Sequence, residues 1–334
     1  MLFQNKTNFK MKKLIIAVVC LFFVISCNES ENSKRILSSS SGNINVLSVV
    51  IDNNLWESKV GEVIRNVLGD DVYGLPQDEP LFTLRQMPTV VFTDFARKNR
   101  IVFKVEKGKE ASTKYYENPF AKPQKLVLVT GMTDAEISNE IETNAKKIIS
   151  EFKNEELKEK QRRIKISLHK NTSIEEVLGL TLNFPSAYRI AKEDNKFFWI
   201  RRDIDTGTLN FMLYEMPIDA FSDDEDAILD VIKMRDSIGQ KYIPGPSEGT
   251  FMVTDKAYTP FMQETIVDNK PTLETKSTWV VKGAFMSGPF INYAIKDEIN
   301  KRYIIAEGFA YAPAVEKRDL VFELESIIKS IKIK

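Results

Sequence analysis

Cysteine and histidine are nearly missing from this chain. Its 334 residues include two Cys, Cys20 and Cys27, and one His, His169. One imidazole cannot build a multi-histidine metal centre, and no zinc-type Cys or His spacing occurs. Glycine-rich phosphate loops are lacking too: neither GxxxxGK[ST] nor GxGxxG is present. Nor is there an excess of charge of one sign, since 47 Lys+Arg stand against 47 Asp+Glu. Without a net field, nucleic acid is not expected as a partner. No apolar run reaches the roughly 20 residues that a bilayer-spanning helix needs. What remains, 43% apolar residues with 14 Gly and 13 Pro, is the composition of a folded protein. The length suits two domains, each able to bury a core without cross-links.

The N-terminus reads as an address. Lys10, Lys12 and Lys13 precede an apolar run over residues 14–25, and Ser26-Cys27 closes it, the order of parts in a signal peptide. Val24-Ile25-Ser26-Cys27 resembles the bacterial lipobox, whose Cys becomes the lipid-modified first residue of the mature chain. Residues 1–26 are therefore read as a lipoprotein signal peptide and Cys27 as the lipidation site, a palmitate-bearing membrane anchor. Met11, directly before Lys12-Lys13, is an alternative start to Met1. Processing removes four Lys and no acid, leaves a net charge of −4, and takes away Cys20, so no free thiol survives. Residues 27–45, polar and Ser-rich, are read as a flexible tether. Asn28 after the Cys favours, by analogy with lipoprotein sorting, the outer membrane and its periplasmic face; Glu29 and Glu31 loosely resemble acidic surface-export signals.

Past the tether the apolar pattern divides into an N-terminal α/β domain over 46–168 and a C-terminal α+β domain over 174–334. In the first, residues 46–51 read as a buried strand ended by Asp52-Asn53-Asn54. The 3.6-residue spacing of Leu55, Trp56, Val60, Val63, Ile64, Val67 and Leu68 predicts one amphipathic helix, capped by Asn53 or Asn54 and stopped at Gly69. Trp56 is assigned to its core stripe. Segment 74–80, with two prolines, is a turn. Strands over 101–105 and 125–129 precede a long helix capped by Asp134. Its charged distal part, 153–165, reads as a solvated face with i,i+4 pairs rather than a basic nucleic-acid patch. His169, at the join of the halves, reads as an exposed linker residue.

In the second half, residues 197–202 and 209–214 alternate and pair across Asp205-Thr206-Gly207. Acids at 223–226 lead into a helix through Ile238. They lack the spacing of a calcium loop and are read as complementing the helix dipole. Strands over 259–267, 274–282, 290–296 and 302–309 and a last helix over 317–331 follow. The fold class is α+β: two α/β-type halves, the second an antiparallel sheet with packed helices.

Gly74-Leu75-Pro76-Gln77, Glu79-Pro80-Leu81-Phe82, Lys122-Pro123-Gln124, Phe198-Trp199-Ile200-Arg201-Arg202, Tyr242-Ile243-Pro244-Gly245-Pro246, Phe285-Met286-Ser287-Gly288-Pro289-Phe290 and Glu307-Gly308-Phe309-Ala310-Tyr311-Ala312-Pro313 follow one another in this order. Together they resemble an uncharacterised lipoprotein family of Bacteroidota, a domain of unknown function (4837), over nearly all the mature chain. The resemblance implies that lineage and lipoprotein status, and no activity. The element order of the second half also looks like the sandwich of the PsbP and Mog1 type, a topological likeness that does not fix function. Arg202-Asp203 and Arg235-Asp236 sit side by side in aromatic or helical surroundings, and ion pairs on the fold's surface explain them as well as a carboxylate site does.

No catalytic residue, cofactor or metal ligand is nominated, and the chain is read as leaning away from enzymes. The expected function is a cell-envelope lipoprotein that binds a partner protein or glycan or serves an assembly. Its candidate anchors are the turn aromatics Tyr242 and Phe290. The alternative is a carboxylate-dependent hydrolase of envelope glycan or peptidoglycan, since Asp and Glu are abundant and no pair stands out.

Overall fold

The apolar runs beginning at Val46, Ile101 and Lys125 hardly alternate, as befits strands buried on both faces. The computed structural model, which describes residues 36–222 and 226–334, places them side by side. In chain order the first half comprises β1 (Ser38–Ser39), β2 (Val46–Val50), α1 (Asn53–Trp56), α2 (Lys59–Leu68), β3 (Thr83–Met87), β4 (Ile101–Lys107), β5 (Ser112–Glu117), β6 (Ala121–Lys122), β7 (Lys125–Gly131) and α3 (Asp134–Ile164). The sheet runs β3-β2-β4-β7-β5, parallel throughout except for the antiparallel edge strand β5. Helices α2 and α3 bury Val60, Val63, Ile64, Ile137, Ile141, Ile148 and Phe152 against Leu47, Val49, Phe103 and Val127 of one sheet face.

Three local expectations are corrected here. The single helix predicted over 55–68 is two. Gly61 packs so closely on Trp56 that a Cβ would lie 1.8 Å from its carbonyl oxygen. The chain restarts at Ser58, whose hydroxyl accepts from the Val60 amide at 3.2 Å. The long helix is capped by Thr133 rather than Asp134: its hydroxyl accepts from the Glu136 amide, and the Glu136 carboxylate accepts from the Met132 amide. Its distal part is no solvated face either. Glu155, Glu156 and Glu159 are buried, and Glu156 accepts from the Arg100 guanidinium at 2.7 and 3.0 Å and from the Asn45 amide at 2.7 Å.

The second half comprises α4 (Ser173–Leu178), β8 (Leu180–Thr181), β9 (Arg189–Asp194), β10 (Phe197–Ile204), β11 (Gly207–Pro217), α5 (Ala227–Tyr242), β12 (Phe251–Thr254), β13 (Phe261–Val267), β14 (Lys270–Lys282), β15 (Ser287–Asp297), β16 (Arg302–Tyr311), α6 (Arg318–Ile328) and β17 (Lys332–Ile333). Eight strands form one antiparallel sheet in the order β12-β14-β15-β16-β11-β10-β9, with β13 also on β14. The β10–β11 hairpin closes at Ile204 opposite Gly207, as the Asp205-Thr206-Gly207 turn predicted. Period-two alternation then sorts side chains by face. Ile291, Tyr293, Ile295, Ile304 and Ala306 meet Val321, Leu324, Ile327 and Ile328 of α6, whereas Phe290, Ala294, Tyr303, Ile305 and Phe309 meet Val231 and Met234 of α5. Gly308 permits the close approach of α6, since a Cβ there would lie 2.7 Å from Leu324.

The N-terminal half meets α6 through polar groups. The Glu79 carboxylate accepts from the Lys317 and Arg318 amides at the start of α6 at 2.7–2.9 Å, and the Arg318 guanidinium donates to the Pro80 carbonyl. Lys160 of α3 pairs with Glu323, which also takes Arg202 and the Tyr188 hydroxyl. The serine-rich tract read as tether is bonded to the body from Ser38: β1 pairs with β6, Ser40 donates to the Lys122 carbonyl, and Ser41 donates to that of Lys98.

These carboxylates set an acid limit on stability. Burial pushes Glu325 up, but Lys329, Lys276 and Lys153 outweigh it and hold the group at about 2. Glu159, likewise pushed up by burial, is held at about 2 by Arg162, Arg163 and Arg100. A folded-state value below the ordinary 4.5 means that the stabilisation is complete above about 4.5 and is lost as pH falls toward about 2. Denaturation midpoints measured from pH 7 to 2 should stay level down to about 5 and then drop, with a shallower drop in Glu325→Gln. A decline centred near pH 6 would contradict this assignment.

Candidate functional site

At one end of the second sheet, several segments close around a cleft of about 270 Å³. Trp199 and Arg201 come from β10, Thr208 and Asn210 from β11, Pro244-Gly245-Pro246 from the turn after α5, Trp279 from β14, Met286 from the β14–β15 turn, and Phe309 and Tyr311 from β16. Register brings them together: Arg201 lies opposite Asn210, and Trp279 opposite Gly288. A Cβ on Gly288 would strike the Ala310 carbonyl at 2.0 Å, so glycine lets the strands close around the indole. Trp279 donates from Nε1 to that carbonyl and stands edge-on to Phe309 at 5.8 Å. Gly245 lies down on Thr250 and Val281 and seats the prolines on the rim.

The polar groups of the cleft are held in place by one another. Trp199 Nε1 donates to Asn210 Oδ1 at 3.1 Å, and Asn210 Nδ2 donates to Thr208 Oγ1 at 3.0 Å. Arg201 is fixed by Asp203, whose carboxyl is held below its ordinary value by hydrogen bonds from Arg201 and Arg189. Among the described residues the lining contains no carboxylate. Beside Met286, in the β14–β15 turn, Phe285 is fully exposed.

Behind the cleft lies a buried ion pair. Arg235 of α5 and Glu307 of β16 are both inaccessible, with Nε and Oε1 3.0 Å apart. The guanidinium stacks 3.7 Å from the Phe290 ring centroid, donates to Thr254 Oγ1 at 2.9 Å and touches the sulfur of Met252, a cleft-lining residue. Asn292 donates to the other Glu307 oxygen at 2.9 Å. Burial pushes the Glu307 carboxyl up, opposed by Arg235 and Asn292. The pair fixes α5 on the sheet and with it the cleft floor.

Several sequence expectations change at this point. Tyr242 and Phe290 are not exposed turn aromatics: Tyr242 ends α5 with its ring stacked on Phe197 at 3.9 Å, and Phe290 is a buried strand residue beneath Arg235. Rings this apolar fill the layer between helix and sheet when the chain allows it. Arg235 is buried rather than on the surface: its shorter pair, at 3.0 Å, runs inward to Glu307, and Asp236, 3.8 Å from it, also accepts from the Thr254 amide. Arg202 likewise pairs with Glu323, not with its neighbour Asp203. His169 is half-buried, its ring stacked on Phe184 at 4.8 Å. Cys27 and the acids at 223–225 lie outside the described residues. Trp199, Trp279, Tyr311 and Phe285 were not singled out as site residues, although three of the four lie in segments that carry the family resemblance.

Comparison with known proteins agrees with that resemblance over part of the chain. Residues 167–330 match the model of a domain of unknown function, DUF4837. Residues 40–165 match a different domain of unknown function, DUF8532, so the motifs at 74–82 and 122–124 fall in the second family. No curated protein matches the chain. Solved structures that are similar in part include the following two. One is LpqN, involved in cell envelope biogenesis of Mycobacterium tuberculosis, at 12% identity over 46% of this chain and 82% of that one, TM-score 0.27. The other is a STAR-related lipid transfer protein fragment from Xanthomonas axonopodis, at 7% identity over 43% of this chain and 96% of that one, TM-score 0.23. At such scores neither likeness bears on fold or function. Among the described residues no helix is long and apolar enough to cross a membrane.

Proposed function

We propose that the chain is a cell-envelope lipoprotein, anchored through Cys27 at the periplasmic face of the outer membrane, that works by binding a partner protein or glycan in the aromatic cleft. The supporting observation is the cleft itself: two indoles, a phenol ring and two prolines meet around a fixed amide and guanidinium, with an exposed Phe285 in the adjoining turn. Aromatic and Arg side chains dominate binding energy at recognition surfaces. The lining favours contact through ring faces over proton transfer.

Pull-down of the lipidated protein from its native envelope tests the reading. Phe285→Ala, which removes a fully exposed ring, should weaken capture of the specific partner by about tenfold or more at an unchanged unfolding temperature. Trp199→Phe should weaken it less, because an aromatic face is kept. Unchanged capture in both would sink the cleft as the recognition surface. A single Asp or Glu whose loss abolished function with stability and capture intact would favour the hydrolase reading instead.

A further inference from the structure

Sheets of parallel strands are nearly always covered on both faces. In the first sheet, α2 and α3 cover one face. The other carries a small cluster, Val50, Phe92, Val102 and Leu126, beneath the irregular segment between β3 and β4. That segment turns Val90, Val91 and Phe95 outward, 82%, 51% and 72% exposed. Three large apolar side chains so close in sequence and this exposed call for an apolar neighbour.

The chain itself indicates which neighbour. Val91 and Phe95 line a cavity of about 680 Å³ together with Ser41, Gly42 and Asn43. Ser41 is bonded to Lys98 and Arg100, so the strand that begins at Ser38 runs along this face. Cys27 stands eleven residues before Ser38. At no more than about 3.5 Å per residue, a bilayer holding its acyl chains lies within about 40 Å of the point where β1 begins. Arg85 of β3 lines the same cavity, Arg97 and Lys98 lie in the β3–β4 segment and Lys122 in β6 beside β1, while the cavity lining holds one acid, Asp94. Basic residues around apolar ones suit lipid phosphates at the edge of a hydrocarbon layer.

We infer that this face rests on the bilayer that carries the Cys27 anchor, with Val90, Val91 and Phe95 dipping into its interface. The inference rests on the lipoprotein reading. It makes the anchor and the β3–β4 segment two points of one attachment, which fixes the body's orientation to the membrane instead of leaving it to swing on a tether.

Spin labels at Val90→Cys or Phe95→Cys test it in membranes holding the full-length lipidated protein. Cys20 leaves with the signal peptide and the Cys27 sulfur carries the lipid, so each variant has one free thiol. Asp205→Cys, in the exposed β10–β11 turn, is the comparison site. Labels at 90 and 95 should collide more often with lipid-phase oxygen than with an aqueous nickel chelate, the reverse of position 205. If they behave like position 205 in protein that pellets with membranes, the inference fails and the anchor stands. Labels shielded from both reagents would mean that a protein covers the face, which also overturns it. Wild-type protein that does not pellet overturns the anchor and this inference together.

Discussion

Replacing Glu156 with alanine should cost about 3–5 kcal/mol of stability, the largest loss expected for a single substitution here. Glu156 is inaccessible and compensates two donors that water cannot reach, the Arg100 guanidinium, itself 2% exposed, and the Asn45 amide. Its loss leaves the buried Arg100 cation with only Glu159, 3.9 Å away and shared with Arg162 and Arg163, as a counter-charge next to the start of the first sheet. Arg100 also holds the Gly42 and Asn43 carbonyls, so the N-terminal strand should loosen with it. Denaturant titration measures the loss. The double variant Arg100→Met/Glu156→Met should recover part of it, because the uncompensated charge is then gone. Lys59→Ala, which breaks an exposed pair with Glu62, should leave the midpoint unchanged. A Glu156→Ala midpoint equal to wild type would show that the pair does not bind α3 to the sheet.

Cys27→Ala should abolish incorporation of labelled palmitate entirely and shift the protein out of the membrane fraction. The motive is the order of residues in the sequence: three lysines, an apolar run of twelve residues, Ser26, then Cys27. Metabolic labelling with fractionation reads both effects. A variant that still pellets, beside a wild type that takes up no label, would refute the address and remove the basis for an envelope function.

Elements with strong local patterning were legible. The β10–β11 hairpin follows from alternation around Asp205-Thr206-Gly207, the strand at 46–50 from its β-branched run, and the stop of α2 from Gly69. The edge strands β3 and β5 were not. Thr83-Leu84-Arg85-Gln86-Met87 and Ser112–Glu117 are mixed in polarity and only partly buried, so neither alternation nor an apolar run marks them. The cleft was half legible: its segments stood out as motifs, but the aromatics chosen from them, Tyr242 and Phe290, were the ones the fold buries. A ring next to a proline carries no mark of which way it turns.

By itself, the sequence determined the α+β class, the antiparallel character of the second half and most of its strands, because each depends on residues near one another in the chain. Tertiary structure alone decided which charges are buried. Glu156 finds Arg100 at a separation of 56 residues and Asn45 at 111, and Glu79 reaches Lys317 across 238. A helix dense in Glu, Lys and Arg has the same local pattern whether water or a guanidinium compensates it. Only packing, which removes the water and supplies the distant partner, separates the two cases. The same holds for the cleft, whose walls come from β10, β11, β14, β16 and the turn after α5 and exist as a surface only once the sheet is assembled.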